Sequence, residues 1–194
     1  MINNDVLRRL RYTFNFDDSK VIAIFALADK KVSREEISNW LKKDDDPDYV
    51  KCSDPDFATF LNGLINEKRG KKEGAQPEVE QRLNNNIIFR KLKIALNLKN
   101  EDVIDLLLLA DFKMSKHELS AFFRKPGHKN YRDCKDQVLR NFLMGAQLKY
   151  RESEPEAETE PDSKIDAKTE TDATQEPTQP TDKPKAKFSW SDLK

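Results

Sequence analysis

Glycine is scarce in this 194-residue chain, with five residues in all. Tight βα turns and phosphate-cradling loops are built on glycine, so nucleotide-binding α/β folds are disfavoured. Two cysteines are too few to staple a secreted scaffold. The longest uninterrupted apolar run, Val21 to Ala28, is less than half a membrane span. Asn3, Asn4 and Asp5 stand where a signal peptide would be apolar. The expectation is a cytoplasmic protein with no membrane partner.

Charge, by contrast, is abundant: 36% of residues carry it, and 35 basic side chains balance 35 acidic ones. The balance is a sum of unlike parts. Residues 1–150 hold 28 basic and 23 acidic side chains, whereas residues 151–194 hold 7 and 12. The second segment has eight apolar residues in 44, five prolines and no glycine. Such a composition cannot bury enough surface to offset chain ordering, so 152–194 reads as a disordered acidic tail. Its last residues, KFSWSDLK, place Phe188, Trp190 and Leu193 at the end of a soluble tether. Solvated aromatics make good anchors in a partner groove, which marks these three as a candidate docking element.

The rest of the chain is a duplication. Shifted by 82 residues, 3–69 pair with 85–151 without a gap, and 22 of 67 positions are identical. NNDVLRRLRYTFN lies over NNIIFRKLKIALN, and FLNG over FLMG. The divisions are repeat one at 1–69, a linker at 70–84, repeat two at 85–151 and the tail at 152–194.

Each repeat reads as four helices and no stretch alternates like a strand, so the fold class is all-α. The first helix runs from about Asn4 to Phe14, with Asn3 and Asn85 as N-caps of the two copies. The second, spanning Val21–Ala28, is apolar on every side and is expected at the centre of its unit. The third opens with capping boxes, Ser33 with Glu36 and Ser115 with Glu118. The fourth follows Asp54-Pro55, read as N-cap and first helical position. Pro77–Leu83 would extend the fifth helix by two turns. A unit of about 70 residues is marginal alone, which predicts that the copies pack about a pseudo-twofold axis.

The duplicated NNDVLRRLRY, ADKKVSREEISNWLKK and FLNGLINEKRG segments resemble the YehS-like family of small bacterial proteins, a domain of unknown function. The resemblance covers residues 1–151. It implies a bacterial, cytoplasmic, tandem-repeat protein and brings no activity, cofactor or catalytic residue with it.

Groups for catalysis are few. His117 and His128 both fall in repeat two without counterparts in repeat one. Cys52 and Cys134 are repeat-equivalent, but Cys-x-x-Cys and His-x-x-x-His spacings are missing, so no metal site is assigned. A helix start near each cysteine would lower its thiol pKa, against a reading as packed side chains. No catalytic residue, cofactor or metal ligand is assigned, and the chain reads as a non-enzyme.

The identical pairs sort by chemistry. Leu10/Leu92, Val21/Val103, Ile22/Ile104, Leu27/Leu109, Phe60/Phe142 and Leu61/Leu143 are expected core. Gly63/Gly145 sits mid-helix, where glycine costs about 1 kcal/mol relative to alanine, so a close helix approach, across the pseudo-twofold, is expected. Arg8/Arg90, Asp29/Asp111, Lys31/Lys113, Tyr49/Tyr131 and Arg69/Arg151 are retained polar pairs. They read either as bonds that hold each unit together or as a paired ligand surface.

In repeat two, Lys113, Lys116, Arg124, Lys125, Lys129 and Arg132 gather around the third helix and the loop after it. The short turn between the second and third helices gives a helix-turn-helix-like layout, so these six are candidate nucleic-acid contacts. The first reading is a non-catalytic protein-interaction adaptor or regulatory module; the alternative is a DNA- or RNA-binding protein.

Overall fold

The computed structural model describes residues 1–151 apart from 72 and 75. Phe188, Trp190 and Leu193 therefore lie outside the described residues. The element order is α1 (Asn3–Thr13), α2 (Asp18–Leu27), α3 (Arg34–Leu41), α4 (Asp54–Arg69), α5 (Asn85–Ala95), α6 (Asn100–Leu109), α7 (Lys116–Phe122) and α8 (Asp136–Arg151). Among the described residues there is no strand, and no helix is long and apolar enough to cross a membrane.

Local chemistry starts the helices. Asp17 accepts from the Lys20 N–H at the head of α2, and Ser33 and Ser115 close their capping boxes with Glu36 and Glu118. Left-handed residues mark the ends: Asn15, Asp29, Asn97 and Asp111 have φ of 48°, 59°, 53° and 54°. Asn and Asp tolerate that region better than other residues with side chains, which explains why these four positions keep their identity across the repeat.

Three expected starts are corrected. Asn3 and Asn85 lie inside their helices; Asn84 caps α5, and the residue before α1 is Ile2. Ser53, not Asp54, caps α4, with Pro55 one position further in than expected. Residues 76–84 are not helical: the Asp54 carboxylate takes the Leu83 N–H at 3.0 Å, Glu80 meets Lys91 at 2.8 Å, and Asn84 then starts α5.

The paired asparagines instead clamp the loop between the third and fourth helices. Asn4 donates to the carbonyls of Trp40 and Val50 at 2.9 and 2.8 Å and accepts the Cys52 N–H at 3.0 Å. Asn86 does the same with Phe122, Arg132 and Cys134 at 2.9, 2.8 and 2.9 Å. Asn3 and Asn85 reach the carbonyls of Cys52 and Cys134 and the carboxylates of Asp54 and Asp136.

α4 is the central helix. It packs on α2 within its repeat and on α5 across the repeat, and Phe57–Leu64 are all buried. Its mate α8 packs in the same way on α6 and α1. The cross-repeat contacts α4–α5 and α8–α1 exchange under the 82-residue shift, as a pseudo-twofold requires. α2 lies outside this centre: Ala23 and Ala26 are exposed, and Leu108 and Leu109 of α6 are 52% and 50% exposed. The expected core position Leu109 is thereby corrected, and Ile22, Leu27 and Ile104 are only partly buried. Hydropathy records what a helix contains; α4 is central because it has neighbours on two sides.

Candidate nucleic-acid interface

Six basic residues, Lys113, Lys116, Arg124, Lys125, Lys129 and Arg132, gather around the third helix of repeat two. α7 has seven residues, a rod of about 10 Å. Lys116 alone of the six lies on it, and it pairs with Glu101 at 2.9 Å, an ion pair that lowers the Glu101 pKa. Lys113 precedes the helix, and Arg124, Lys125, Lys129 and Arg132 lie in the loop that follows. All but the partly buried Arg124 are exposed. The charge sits in loops flanking a short helix, an arrangement that suits phosphate contact more than base reading along a recognition helix.

The retained polar pairs lead to two related grooves. One, of about 330 Å³, is lined by Arg69, Arg90, Lys93, Ile94, Leu98 and Phe123. The other, of about 1090 Å³, contains Arg8, Arg11, Tyr12, Phe16 and Arg151, the positions that match under the 82-residue shift. Each groove joins both repeats. Arg69, at the end of α4, donates to the Ile94 carbonyl at 3.3 Å and to the Asn97 side chain at 2.8 Å. Arg151, at the end of α8, donates to the Tyr12 carbonyl at 2.6 Å and lies 3.5 Å from the centre of the Tyr12 ring. Sequence reading missed these grooves, because each draws an arginine from the opposite repeat.

The grooves differ in charge. In repeat one Arg8 meets Asp5 at 2.6 Å, Arg11 meets Asp18 at 2.8 Å, and Lys42 meets Asp48 at 2.6 Å, a hydrogen bond that raises the Lys42 pKa. The equivalent cations in repeat two are Arg90, Lys93 and Arg124, and the positions of the three carboxylates hold Ile87, Asn100 and Asn130. Arg90 donates to the carbonyls of Phe123 and Arg124 at 3.0 and 3.4 Å. Lys93 donates to the Asn100 side chain and lies 4.8 Å from the centre of the Phe123 ring. Among the described residues, no carboxylate forms an ion pair with Arg69, Arg90, Lys93 or Arg124. Across whole repeats, residues 3–69 hold 12 basic and 13 acidic side chains, and residues 85–151 hold 14 and 7.

The remaining candidates have structural partners. Arg8 and Arg90 hold carbonyls at the ends of α3 and α7. Asp29 and Asp111 take the left-handed turn. Tyr49 and Tyr131 sit half-buried in matching turns, their N–H groups bonded to Asp46 and His128 at 3.0 and 2.8 Å. Lys31 and Lys113 are exposed. His117 and His128 are exposed as well, and His128 Nδ1 accepts the Asn130 N–H. Both cysteines are buried, and burial pushes each thiol up to about 12, opposite to the lowering that a nearby helix start would give.

Comparison with known proteins agrees with the internal duplication. No solved structure matches the chain. The chain is 44% identical over 146 residues to "Uncharacterized protein YehS" of Escherichia coli (strain K12), an alignment covering 75% of this chain and 94% of that protein. The family described as "Protein of unknown function (DUF1456)" matches twice, at residues 3–70 and 85–152, and the chain belongs to that family.

Proposed function

We propose that the chain is a non-catalytic binding module whose ligand is nucleic acid, held through the basic side of repeat two. One observation supports this most: three cations paired with carboxylates in repeat one are kept as cations in repeat two, where the carboxylate positions hold neutral side chains. Arg8, Arg11 and Lys42 are neutralised by Asp5, Asp18 and Asp48; their counterparts are Arg90, Lys93 and Arg124, and Asp5, Asp18 and Asp48 are replaced by Ile87, Asn100 and Asn130. A charge kept while its partner is removed costs self-repulsion and is useful to a polyanion.

The test is a gel shift with duplex and single-stranded DNA and RNA over a salt series. Binding should weaken steeply with salt and fall with Arg124→Ala plus Lys129→Ala. An absence of binding to every one of these probes at low salt rejects the reading.

The second reading is a protein-interaction adaptor. It keeps one observation within the described residues, the exposure of Leu108 and Leu109 at 52% and 50%. Leu108→Glu plus Leu109→Glu should then remove a partner from a pull-down, as should deletion of residues 183–194 if Phe188, Trp190 and Leu193 dock.

A further inference from the structure

We infer that the groove between Arg69, Arg90 and Lys93 is the seat of one nucleotide unit of a single strand. The inference rests on the nucleic-acid reading and adds to it the form of the ligand and its place. The groove has two kinds of wall. Its cations come from both repeats, Arg69 from the end of α4 and Arg90 and Lys93 from α5. Its apolar part is Ile94, 41% exposed, with Leu98 and Phe123. A phosphate fits the cations, and a base fits the apolar wall.

A duplex keeps its bases stacked inside and offers phosphates on a convex surface, so it can reach the cations and leaves the apolar wall bare. An unpaired strand can turn one base inward while its phosphate stays on the rim, the arrangement that single-strand binders use. Ile94 matters here. Its counterpart Tyr12 has the Arg151 guanidinium 3.5 Å from its ring centre, whereas Ile94 gives Arg69 no ring to lie on. In the repeat-one groove Arg8 and Arg11 are thus paired with carboxylates, and in the repeat-two groove Arg90 and Lys93 are not. One site per chain follows.

Position 100 provides the test. Asn100 occupies the place that Asp18 holds in repeat one, next to Lys93 as Asp18 is next to Arg11. Asn100→Asp installs the missing carboxylate at the first residue of α6, where a negative charge suits the helix end and the repeat-one copy already tolerates it. The full-length chain is titrated with a labelled deoxythymidine octamer and with a hairpin duplex. Asn100→Asp and Lys93→Gln should each weaken octamer binding by on the order of tenfold, and Lys93→Gln should lower the salt slope by about 0.7, the value for one single-strand phosphate. Hairpin binding should change little.

If both variants bind the octamer like the wild type while Arg124→Ala plus Lys129→Ala loses it, the groove assignment is overturned and the broader reading stands. The same holds if the wild type binds the hairpin and not the octamer. Failure of the wild type to bind either probe overturns both. Phe123→Leu, which keeps an apolar side chain beside Phe89, supplies a variant that carries no charge change and should weaken the octamer alone.

Discussion

Gly63 and Ile24 touch backbone to backbone: a β-carbon on Gly63 would stand 1.9 Å from the Ile24 carbonyl oxygen. Gly145 and Leu106 repeat the relationship at 1.8 Å. The close approach joins α2 to α4 and α6 to α8 within each repeat, and not the two repeats across their pseudo-twofold as the sequence had suggested. Glycine in mid-helix is intrinsically unfavourable, and here it is the condition for the helices to meet.

Gly63→Ala must therefore push α2 away from the central helix or bend α4. Overpacking of this kind costs about 1–3 kcal/mol, and the obstacle here is backbone, which cannot rotate aside as a side chain can. A urea titration should show the loss, with a melting point lower by several degrees. A wild-type midpoint for Gly63→Ala would mean that the helices do not pack this closely.

Asn86 makes a second testable contact. Its amide satisfies the Phe122 carbonyl at the end of α7, and the Arg132 carbonyl and Cys134 N–H of a loop that has no regular structure to supply partners. Asn86→Ala leaves these groups short of partners in a buried setting, at about 1–3 kcal/mol for each that water cannot reach. The loss should be measurable by denaturation, and hydrogen exchange should speed up first at the Cys134 amide. Asn4→Ala should behave in the same way at Cys52. Unchanged exchange at these amides would show that the loop holds itself.

The sequence disclosed most of what is local. The capping boxes and the apolar spacing of the first and fourth helices depend on near neighbours, and the structure has them at the expected residues. What depends on packing was less legible. Hydropathy placed Val21–Ala28 at the centre, yet small side chains such as Ala23 and Ala26 can face water at little cost, and α4 is buried by its two neighbours. Asn3 looked like a cap because caps and tertiary clamps use the same side chain. The grooves were hidden because Arg69 and Arg151 cross between repeats. Their charge difference had a signal in the sequence all the same: Asp5, Asp18 and Asp48 align with Ile87, Asn100 and Asn130. Comparing the copies for what they do not share would have found it.

The cysteines make a prediction about pH. Burial holds both thiols protonated, with pKa values pushed up to about 12, whereas an unfolded thiol titrates near 8.5. At pH values between these limits the unfolded chain has released protons that the folded chain retains. Their contribution is therefore complete below the unfolded pKa and is lost as pH rises toward 12, by about 1.4 kcal/mol per pH unit for each thiol. Lysines and tyrosines titrate in the same range, so the informative quantity is a difference. Wild type should lose more stability between pH 8 and pH 10.5 than Cys52→Ala plus Cys134→Ala, when urea midpoints are compared at both pH values. A thiol-specific reagent at pH 7.5 should label the native protein only as fast as it opens. Prompt labelling of both cysteines in the folded state would show that the thiols are accessible and ionisable, and the pH difference between the two proteins would then vanish.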